Sequence, residues 1–183
     1  MAGDGSAQWT ELVKRAQRGD REACAGLYAE FARTVHAIVL GHVGAAVAED
    51  VTQEVFCSVF ASLARLREPA AFPAFVCTAA RNAACSALRQ KRRTPRHESP
   101  DELAAGGPSP VARAEQREAA ERVHAVIATL PEAYRETLLL RLVAGLSGAE
   151  IAERTGLTHG SVRVNLTRGM ALLRPLLQEA GLP

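Results

Sequence analysis

The stretch LSGAEIAERTGLTHGSVRVNLTRGMALL, from Leu146 to Leu173, decides how the C-terminal part of this chain folds. Ser147 and Glu150 have the S-x-x-E spacing of a capping box, which predicts the start of a short helix. Gly156 then predicts a tight turn, because glycine adopts the left-handed backbone conformation at little cost. A second apolar-periodic segment follows the turn. The stretch therefore predicts two helices joined as a helix-turn-helix.

The second helix of this motif carries only basic charges. Thr158 or Ser161 can cap its start, and no acidic residue lies between Thr158 and Leu177. Ala152 and Val162 have the size and position that close packing of the two helices requires. A basic helix whose N-terminus points outward suits the major groove of DNA. The motif predicts DNA binding, but does not indicate what kind of DNA-binding protein carries it.

Composition sets broad limits on the fold and on the location. A chain of 183 residues can form one large domain or two small ones, and its 4% aromatic content favours an all-α protein. The net charge of +2 means that any nucleic-acid surface must be local. No apolar stretch approaches the length of a membrane span, and the N-terminus lacks the pattern of a signal peptide. We expect a cytoplasmic protein without membrane insertion.

Motifs for catalysis or metal binding are missing from the sequence. Cys24, Cys57, Cys77 and Cys85 form no C-x-x-C pair and have no zinc-finger spacing from a histidine. We expect all four to be reduced, buried small hydrophobes. No glycine-rich phosphate loop or nucleophile motif occurs, and the five histidines are scattered. The sequence predicts no enzyme, no cofactor and no metal site.

The segment from Thr94 to Ala112 predicts a flexible linker, because it holds four of the nine prolines and a Gly-Gly pair. It divides the chain into predicted domains at residues 1–93 and 113–183, each expected to have four helices. The predicted helices of the first domain are about Thr10 to Arg18, Asp20 to His42, Ala46 to Leu66, and Phe72 to Arg92, with a break from Gly41 to Ala46.

The third and fourth of these helices differ in charge. Asp50, Gln53 and Glu54 share one side of the third helix, opposite a broad apolar arc. Taken alone, that pattern is better explained by an ordinary solvated face with acids near a helix N-terminus. The fourth helix carries basic residues and no acid, its cations being Arg81, Arg89, Lys91, Arg92 and Arg93.

Three ordered motifs together resemble a known family. EDVTQEVF (Glu49 to Phe56) resembles the D-x-x-Q-E-V-F signature of bacterial sigma factors of the extracytoplasmic-function (ECF) class. FPAFVCTAARNAACSALRQKRR (Phe72 to Arg93) resembles the promoter-melting helix of that class. LPEAYRETLLLRLVAGLSGAEIAERTGLTHGSVRVNLTRGMALLR (Leu130 to Arg174) is similar to its C-terminal promoter-reading domain. These motifs cover most of the chain outside the linker and the first residues.

The resemblance implies a factor that binds core RNA polymerase and directs promoter-specific initiation. Its implied partners are the β′ clamp helices and β flap of the polymerase, promoter DNA, and an anti-sigma factor. The positions that match clamp-helix contacts are Asp50, Gln53 and Glu54. Those that match the −10 element are Arg67, Phe75, Arg81, Asn82, Arg89, Lys91, Arg92 and Arg93. Those that match the −35 element are Thr158, His159, Gly160, Ser161, Arg163, Val164, Asn165 and Arg168. The linker is expected to thread toward the RNA exit path.

The chain departs from the family pattern at four positions. Phe75 replaces a tryptophan, and Ser86 replaces the aspartate that usually follows the A-R-N triplet. Val164 and Asn165 stand where polar and cationic residues are common. Asparagine prefers adenine, and valine can only touch a thymine methyl group, so the −35 preference is altered or the contact weaker.

Two alternative functions remain open from the sequence. One is a stand-alone repressor or activator that uses the helix-turn-helix, although no ligand-sensing or dimerisation domain is evident. The other is a sigma-like regulator or decoy that binds polymerase or DNA without supporting normal initiation. The substitutions at Ser86, Val164 and Asn165 are compatible with that second reading.

Overall fold

The N-terminal helices form where the sequence places capping residues and apolar periods. A computed structural model describes residues 4–93 and 122–181, with side chains for 9–90 and 122–181. The helices of its first part are α1 (Asp4–Gln17), α2 (Arg21–Val43), α3 (Ala45–Ser62) and α4 (Phe72–Arg93). Two short 3₁₀ turns, Leu63–Arg65 and Pro69–Ala71, connect α3 to α4. We call α1–α4 the N-terminal unit.

Asp20 determines where α2 begins. Its carboxylate accepts hydrogen bonds from the backbone N–H groups of Glu22 and Ala23 and lies 2.7 Å from the guanidinium of Arg15. These interactions, led by the Ala23 N–H, lower the pKa of Asp20. The predicted cap at Asp20 is confirmed.

Several predicted boundaries were wrong. The first helix begins at Asp4 instead of Thr10, and the third ends at Ser62 instead of Leu66. Gly41 lies inside α2, and the helix breaks only at Gly44. A Cβ atom at Gly41 would lie 2.7 Å from Cδ1 of Leu139, so this glycine permits a close helix approach and does not end the helix.

The C-terminal helices contain the predicted helix-turn-helix. Residues 122–128 are helical, followed by α5 (Glu132–Leu142), α6 (Gly148–Thr155) and α7 (His159–Glu179). Ser147 and Glu150 form both hydrogen bonds of the capping box, and Gly156 has a φ of 74°. Thr158 caps α7 by accepting a hydrogen bond from the N–H of Ser161. We call residues 122–181 the C-terminal unit.

The two units share one continuous apolar core. In the N-terminal unit the ring of Phe31 makes edge contacts with Trp9 and Phe72, at centroid distances of 6.4 and 5.1 Å. In the C-terminal unit Leu138 and Ile151 are fully buried. Helix α2 packs against α5, and α4 packs against α6, so the core continues across the contact between the units. The all-α prediction of two small helical domains is confirmed.

The cysteine prediction was partly wrong. Cys77 is buried, whereas Cys57 is exposed on α3, because it falls beside the acidic side of that helix and away from the apolar arc. Cys24 and Cys85 are half-buried.

Three further expectations concern membranes, metals and domain limits. No helix among residues 4–93 and 122–181 has the length and apolar character of a membrane span. Over the same residues, no group of three or more His, Cys, Asp or Glu side chains is placed to hold a metal ion. The predicted linker at 94–112 lies outside the described residues, and the domain limits at 93 and 113 stay predictions.

The capping box makes a testable contribution to stability. Ser147→Ala removes one of its hydrogen bonds and is expected to lower the free energy of unfolding by about 1 kcal/mol at neutral pH. Hydrogen bonds from the side chain and backbone of Ser147 lower the pKa of Glu150, so the stabilisation from the Glu150 carboxylate is complete above the ordinary carboxyl pKa of 4.5 and disappears as the pH falls through the lowered value. Denaturant unfolding at pH 7 and pH 3 measures the difference.

Ser86→Ala is the matched control, because Ser86 is an exposed position within a helix. It is expected to change the stability by less than about 0.5 kcal/mol. Equal effects of the two substitutions would contradict a stabilising role of the capping box.

Candidate functional site

The acidic side of α3 faces solvent. Asp50, Gln53 and Glu54 are all exposed, while Val51 and Val55 on the other side are buried. The two carboxylates and the amide are therefore free to meet a basic partner without disturbing the core. The sequence correctly predicted that these three side chains lie together.

A groove borders this acidic side. Gln53 and Glu49 line it together with Tyr28 and His36 of α2, and it encloses about 360 Å³. The ring of Tyr28 lies 4.6 Å from that of Phe56, measured between centroids, and 42% of the residue is exposed. The surface thus combines acidic groups with an exposed aromatic ring, which suits a basic partner with apolar side chains.

The predicted −10 residues, on α4 and in the connection before it, point in different directions. Phe75 and Asn82 line a second groove, of about 430 Å³, in which Glu54 and Ser86 also take part. Arg67 and Arg89 are exposed. The backbones of Lys91, Arg92 and Arg93 continue α4, and their side chains lie outside the described residues.

Arg81 turns away from that groove toward the C-terminal unit. Its guanidinium makes a two-pronged contact with Glu136 of α5, with Nε 2.9 Å from Oε2 and Nη2 2.7 Å from Oε1. Only 13% of the Glu136 side chain is exposed. The hydrogen bonding to Glu136 raises the pKa of Arg81 above its ordinary value. The guanidinium of Arg81 is therefore engaged by a carboxylate within the protein.

The predicted −35 residues lie along α7 and divide into an outer and an inner group. The outer group is exposed and consists of His159, Gly160, Ser161, Arg163, Val164 and Arg168. Thr158 is exposed as well, with its hydroxyl engaged in the helix cap. Asn165 instead turns toward α5, where its Nδ2 lies 3.4 Å from both the carbonyl oxygen of Ala133 and Oγ1 of Thr137. The outer group therefore presents two arginines and a valine to solvent.

The sequence did not reveal the role of Arg154. This residue of α6 is only 8% exposed, and it reaches into the N-terminal unit. Its Nη1 donates to the carbonyl oxygen of Glu30 at 3.0 Å and to Oγ1 of Thr34 at 2.6 Å, and its Nη2 bonds the Glu30 carboxylate. Its Cζ lies 4.7 Å from the ring centroid of Phe31. One feature of the sequence could have indicated this burial: Arg154 follows Ile151 by three positions and so lies on the apolar side of a short helix.

Other polar contacts join the two units around this arginine. Arg33 donates to the carbonyl oxygen of Val143 at 3.0 Å, and Arg135 donates to that of Gly41 at 3.0 Å. Nε2 of His42 lies 3.4 Å from Oε1 of Glu132. Charged side chains of each unit therefore donate hydrogen bonds to backbone carbonyl groups of the other unit.

Comparison with known families agrees with this architecture. Residues 27–94 match the family described as Sigma-70 region 2, and residues 120–173 match Sigma-70, region 4. Together the two matches cover α3 with its acidic side, the basic helix α4 and the helix-turn-helix. The chain belongs to the sigma-70 family, in its ECF class. Its function is promoter-specific transcription initiation with RNA polymerase.

Individual relatives extend over most of the chain. The ECF RNA polymerase sigma factor SigD of Mycobacterium tuberculosis is 31% identical over 183 residues, covering 93% of this chain and 84% of SigD. The sigma factor RfaY of Xanthomonas campestris is 32% identical over 91% of this chain, which spans only 44% of RfaY. In the structure of CnrH in complex with the cytosolic domain of CnrY, the matched chain is 23% identical, with a TM-score of 0.64 and coverage of 93% of this chain and 97% of the other. That likeness shows the fold.

The cysteines provide a direct test of the packing around α3 and α4. Burial raises the pKa of the Cys77 thiol to about 12, so this thiol is protonated at pH 8, whereas Cys57 is exposed. Because the thiolate is the nucleophile, iodoacetamide is expected to modify Cys57 readily and Cys77 only after unfolding. Peptide mapping by mass spectrometry distinguishes the sites. Modification of Cys77 in the folded chain at the rate of Cys57 would contradict the packing, and denaturant provides the control in which both react.

Proposed function

We propose that the acidic side of α3 is the surface by which this sigma factor docks on the β′ clamp helices of core RNA polymerase. The observation that carries the proposal is the joint exposure of Asp50, Gln53 and Glu54 on a helix whose opposite side is buried. The groove at Tyr28 lies beside it and offers apolar area. Opposite charge across such an interface orients the partners and accelerates their association.

Promoter DNA is assigned to two separate surfaces. The cations of α4, with Phe75 and Asn82 in the groove beside it, are proposed to bind the −10 element. Opening the duplex there requires unstacking of bases, which cationic contacts to the backbone and a shaped pocket can offset. The outer side of α7 is proposed to bind the −35 element.

The geometry of α7 supports a particular kind of −35 contact. Arg163 and Arg168 are exposed and can reach phosphates or guanine, whereas the amide of Asn165 is held by α5. Val164, which is 41% exposed, can contact a thymine methyl group. We therefore expect the arginines to supply the binding energy, with little direct base reading by Asn165.

An anti-sigma factor is part of the proposal. CnrH, whose fold this chain shares, was solved in complex with the cytosolic domain of CnrY. A regulator that binds this chain would have to cover the acidic side of α3 or the basic helices to prevent initiation.

The decisive experiment combines the purified chain with core RNA polymerase and a set of promoters. A stable complex that supports run-off transcription is expected. Stable core binding without transcription from any promoter would favour the decoy function, and the absence of core binding would overturn the proposed docking surface.

Charge reversal tests the docking surface on α3. Asp50→Arg and Glu54→Arg are each expected to weaken core association about tenfold or more, because they place like charges against the basic clamp helices. Surface plasmon resonance with immobilised core polymerase measures the affinity. Glu11→Arg on α1 is the control, since it changes the same charge on another exposed helix of the N-terminal unit. Unchanged affinity in both α3 variants would refute the assignment.

Salt dependence tests the promoter contact of α7. Arg163→Ala and Arg168→Ala are each expected to reduce the slope of log K against log salt by about 0.9 for each phosphate that the removed guanidinium neutralised. Binding of the polymerase complex to a promoter fragment, titrated at several salt concentrations, gives this slope. Arg18→Ala, an exposed arginine after α1, should leave it unchanged. If Arg163→Ala and Arg168→Ala have the same slope as Arg18→Ala and the unchanged chain, Arg163 and Arg168 do not face the DNA.

A further inference from the structure

The connection between α3 and α4 consists of two separate turns. The first is closed by a hydrogen bond from the N–H of Leu66 to the carbonyl oxygen of Leu63, at 3.1 Å, and the second by one from the N–H of Ala71 to that of Glu68, at 3.0 Å. Between the turns, Leu66 and Glu68 have extended backbone conformations. Arg67 therefore lies between the two turns and belongs to neither.

A side chain from another helix holds this connection. Nε2 of Gln17, the last residue of α1, donates to the carbonyl oxygen of Leu63 at 3.1 Å and to that of Leu66 at 2.7 Å. Both partners are acceptors, so only the amino group of the amide can face them, and a carboxylate in its place would be repelled. Gln17 and Leu66 are half-buried, which makes the loss of these bonds costly. The amide thus fixes the backbone immediately before Arg67.

The end of α1 is itself anchored, so Gln17 has a defined position. Arg15 and Asp20 form an ion pair at 2.7 Å across the turn between α1 and α2. On the inner side of α1, Val13 and Ala16 are buried in the core. The amide of Gln17 therefore extends from a helix that is packed along its length and tied at its end, as precise positioning requires.

The connection borders the surface proposed for the −10 element. Ser62, the residue before it, and Phe75, in the first turn of α4, both line the groove of about 430 Å³. Arg67 is exposed and lies between these two residues in the chain. A base that leaves the duplex needs a shaped pocket and cations near its phosphates. The position of the connection therefore determines how Arg67 stands relative to the groove.

We propose that Gln17 is a positioning residue for promoter opening: its amide holds the connection between α3 and α4 so that Arg67 contacts the DNA backbone beside the groove. The inference rests on the proposed function, since it takes the −10 roles of Arg67 and Phe75 from it. A connection that is ordered before DNA arrives loses less conformational freedom on binding, and this preorganisation favours the open promoter. Gln17 acts through Arg67 and needs no contact with DNA.

The opening step is measured on the complex of core polymerase with the full chain. The DNA is a promoter that the unchanged chain transcribes, with 2-aminopurine in the −10 element, whose fluorescence rises as its base unstacks. Gln17→Met removes the donor at similar length, and Gln17→Glu replaces it by an acceptor. Each is expected to slow opening about fivefold to tenfold, as the loss of one or two hydrogen bonds implies, with unchanged affinity for core polymerase. Gln178→Met makes the same substitution at an exposed position of α7 and should change neither quantity.

A double-mutant cycle distinguishes positioning from a general loss of stability. In a chain carrying Arg67→Ala, Gln17→Met is expected to slow opening by less than about twofold, because the residue through which it acts is gone. Arg89→Ala removes an exposed cation of α4 outside the connection, and the effect of Gln17→Met should be undiminished in that background. A purely structural role of Gln17 would give the same slowing in both backgrounds.

Hydrogen exchange tests the local contact in the free chain. Gln17→Met is expected to raise the exchange rate of the backbone amides at residues 63–68 about threefold or more, because the first turn of the connection loses its anchor. The amides in the middle of α2 should keep their rates and provide the control. Circular dichroism checks that each variant retains its helices.

The results distinguish the positioning role from the proposed function. Normal opening with both Gln17 variants, equal slowing with and without Arg67, or unchanged exchange in the connection would overturn the positioning role and leave the proposed function standing. Loss of helices or of core affinity in both Gln17 variants would also overturn it, since Gln17 would then support the whole unit. If the unchanged chain opens no promoter, the proposed function fails and the positioning role fails with it.

Discussion

The arrangement of the two units depends on one buried guanidinium. Arg154 leaves the first helix of the helix-turn-helix and enters the N-terminal unit, where an acid, a hydroxyl, a carbonyl oxygen and an aromatic face surround it. A buried cation without such partners costs several kcal/mol, which is as large as the effect of a severely destabilising single mutation. The side chain therefore makes the mutual position of the units specific, beyond what apolar contact alone would require.

This anchor determines which functional groups are available. Arg154 ties α6 to α2, α6 also packs on α4, and Glu136 of the neighbouring helix α5 meets Arg81 of the basic helix. The acidic side of α3 is unaffected and stays exposed. The surface proposed for the polymerase is thus open, while part of the surface proposed for the promoter is covered.

Local signals predicted most of the helices and failed where contacts between units intervene. Ser147, Glu150 and Thr158 cap their helices through neighbours within three residues, so the sequence alone identified them. Gly41 was expected to break α2, because glycine is a poor helix former. It stays helical since α5 packs against it, a contact that joins residues almost one hundred positions apart. Cys57 was expected in the core, and its exposure follows from its place beside Gln53 and Glu54.

The sequence by itself determined the all-α fold, the helix-turn-helix and the acidic side of α3. These follow from capping, turn and periodicity patterns that extend over a few residues, and from three motifs that identify the ECF class. Only the tertiary structure decided how the two units meet. The pairing of Arg81 with Glu136, the burial of Arg154 and the inward turn of Asn165 each join residues distant in the chain. No local pattern encodes such pairs, because they depend on the packing of complete helices.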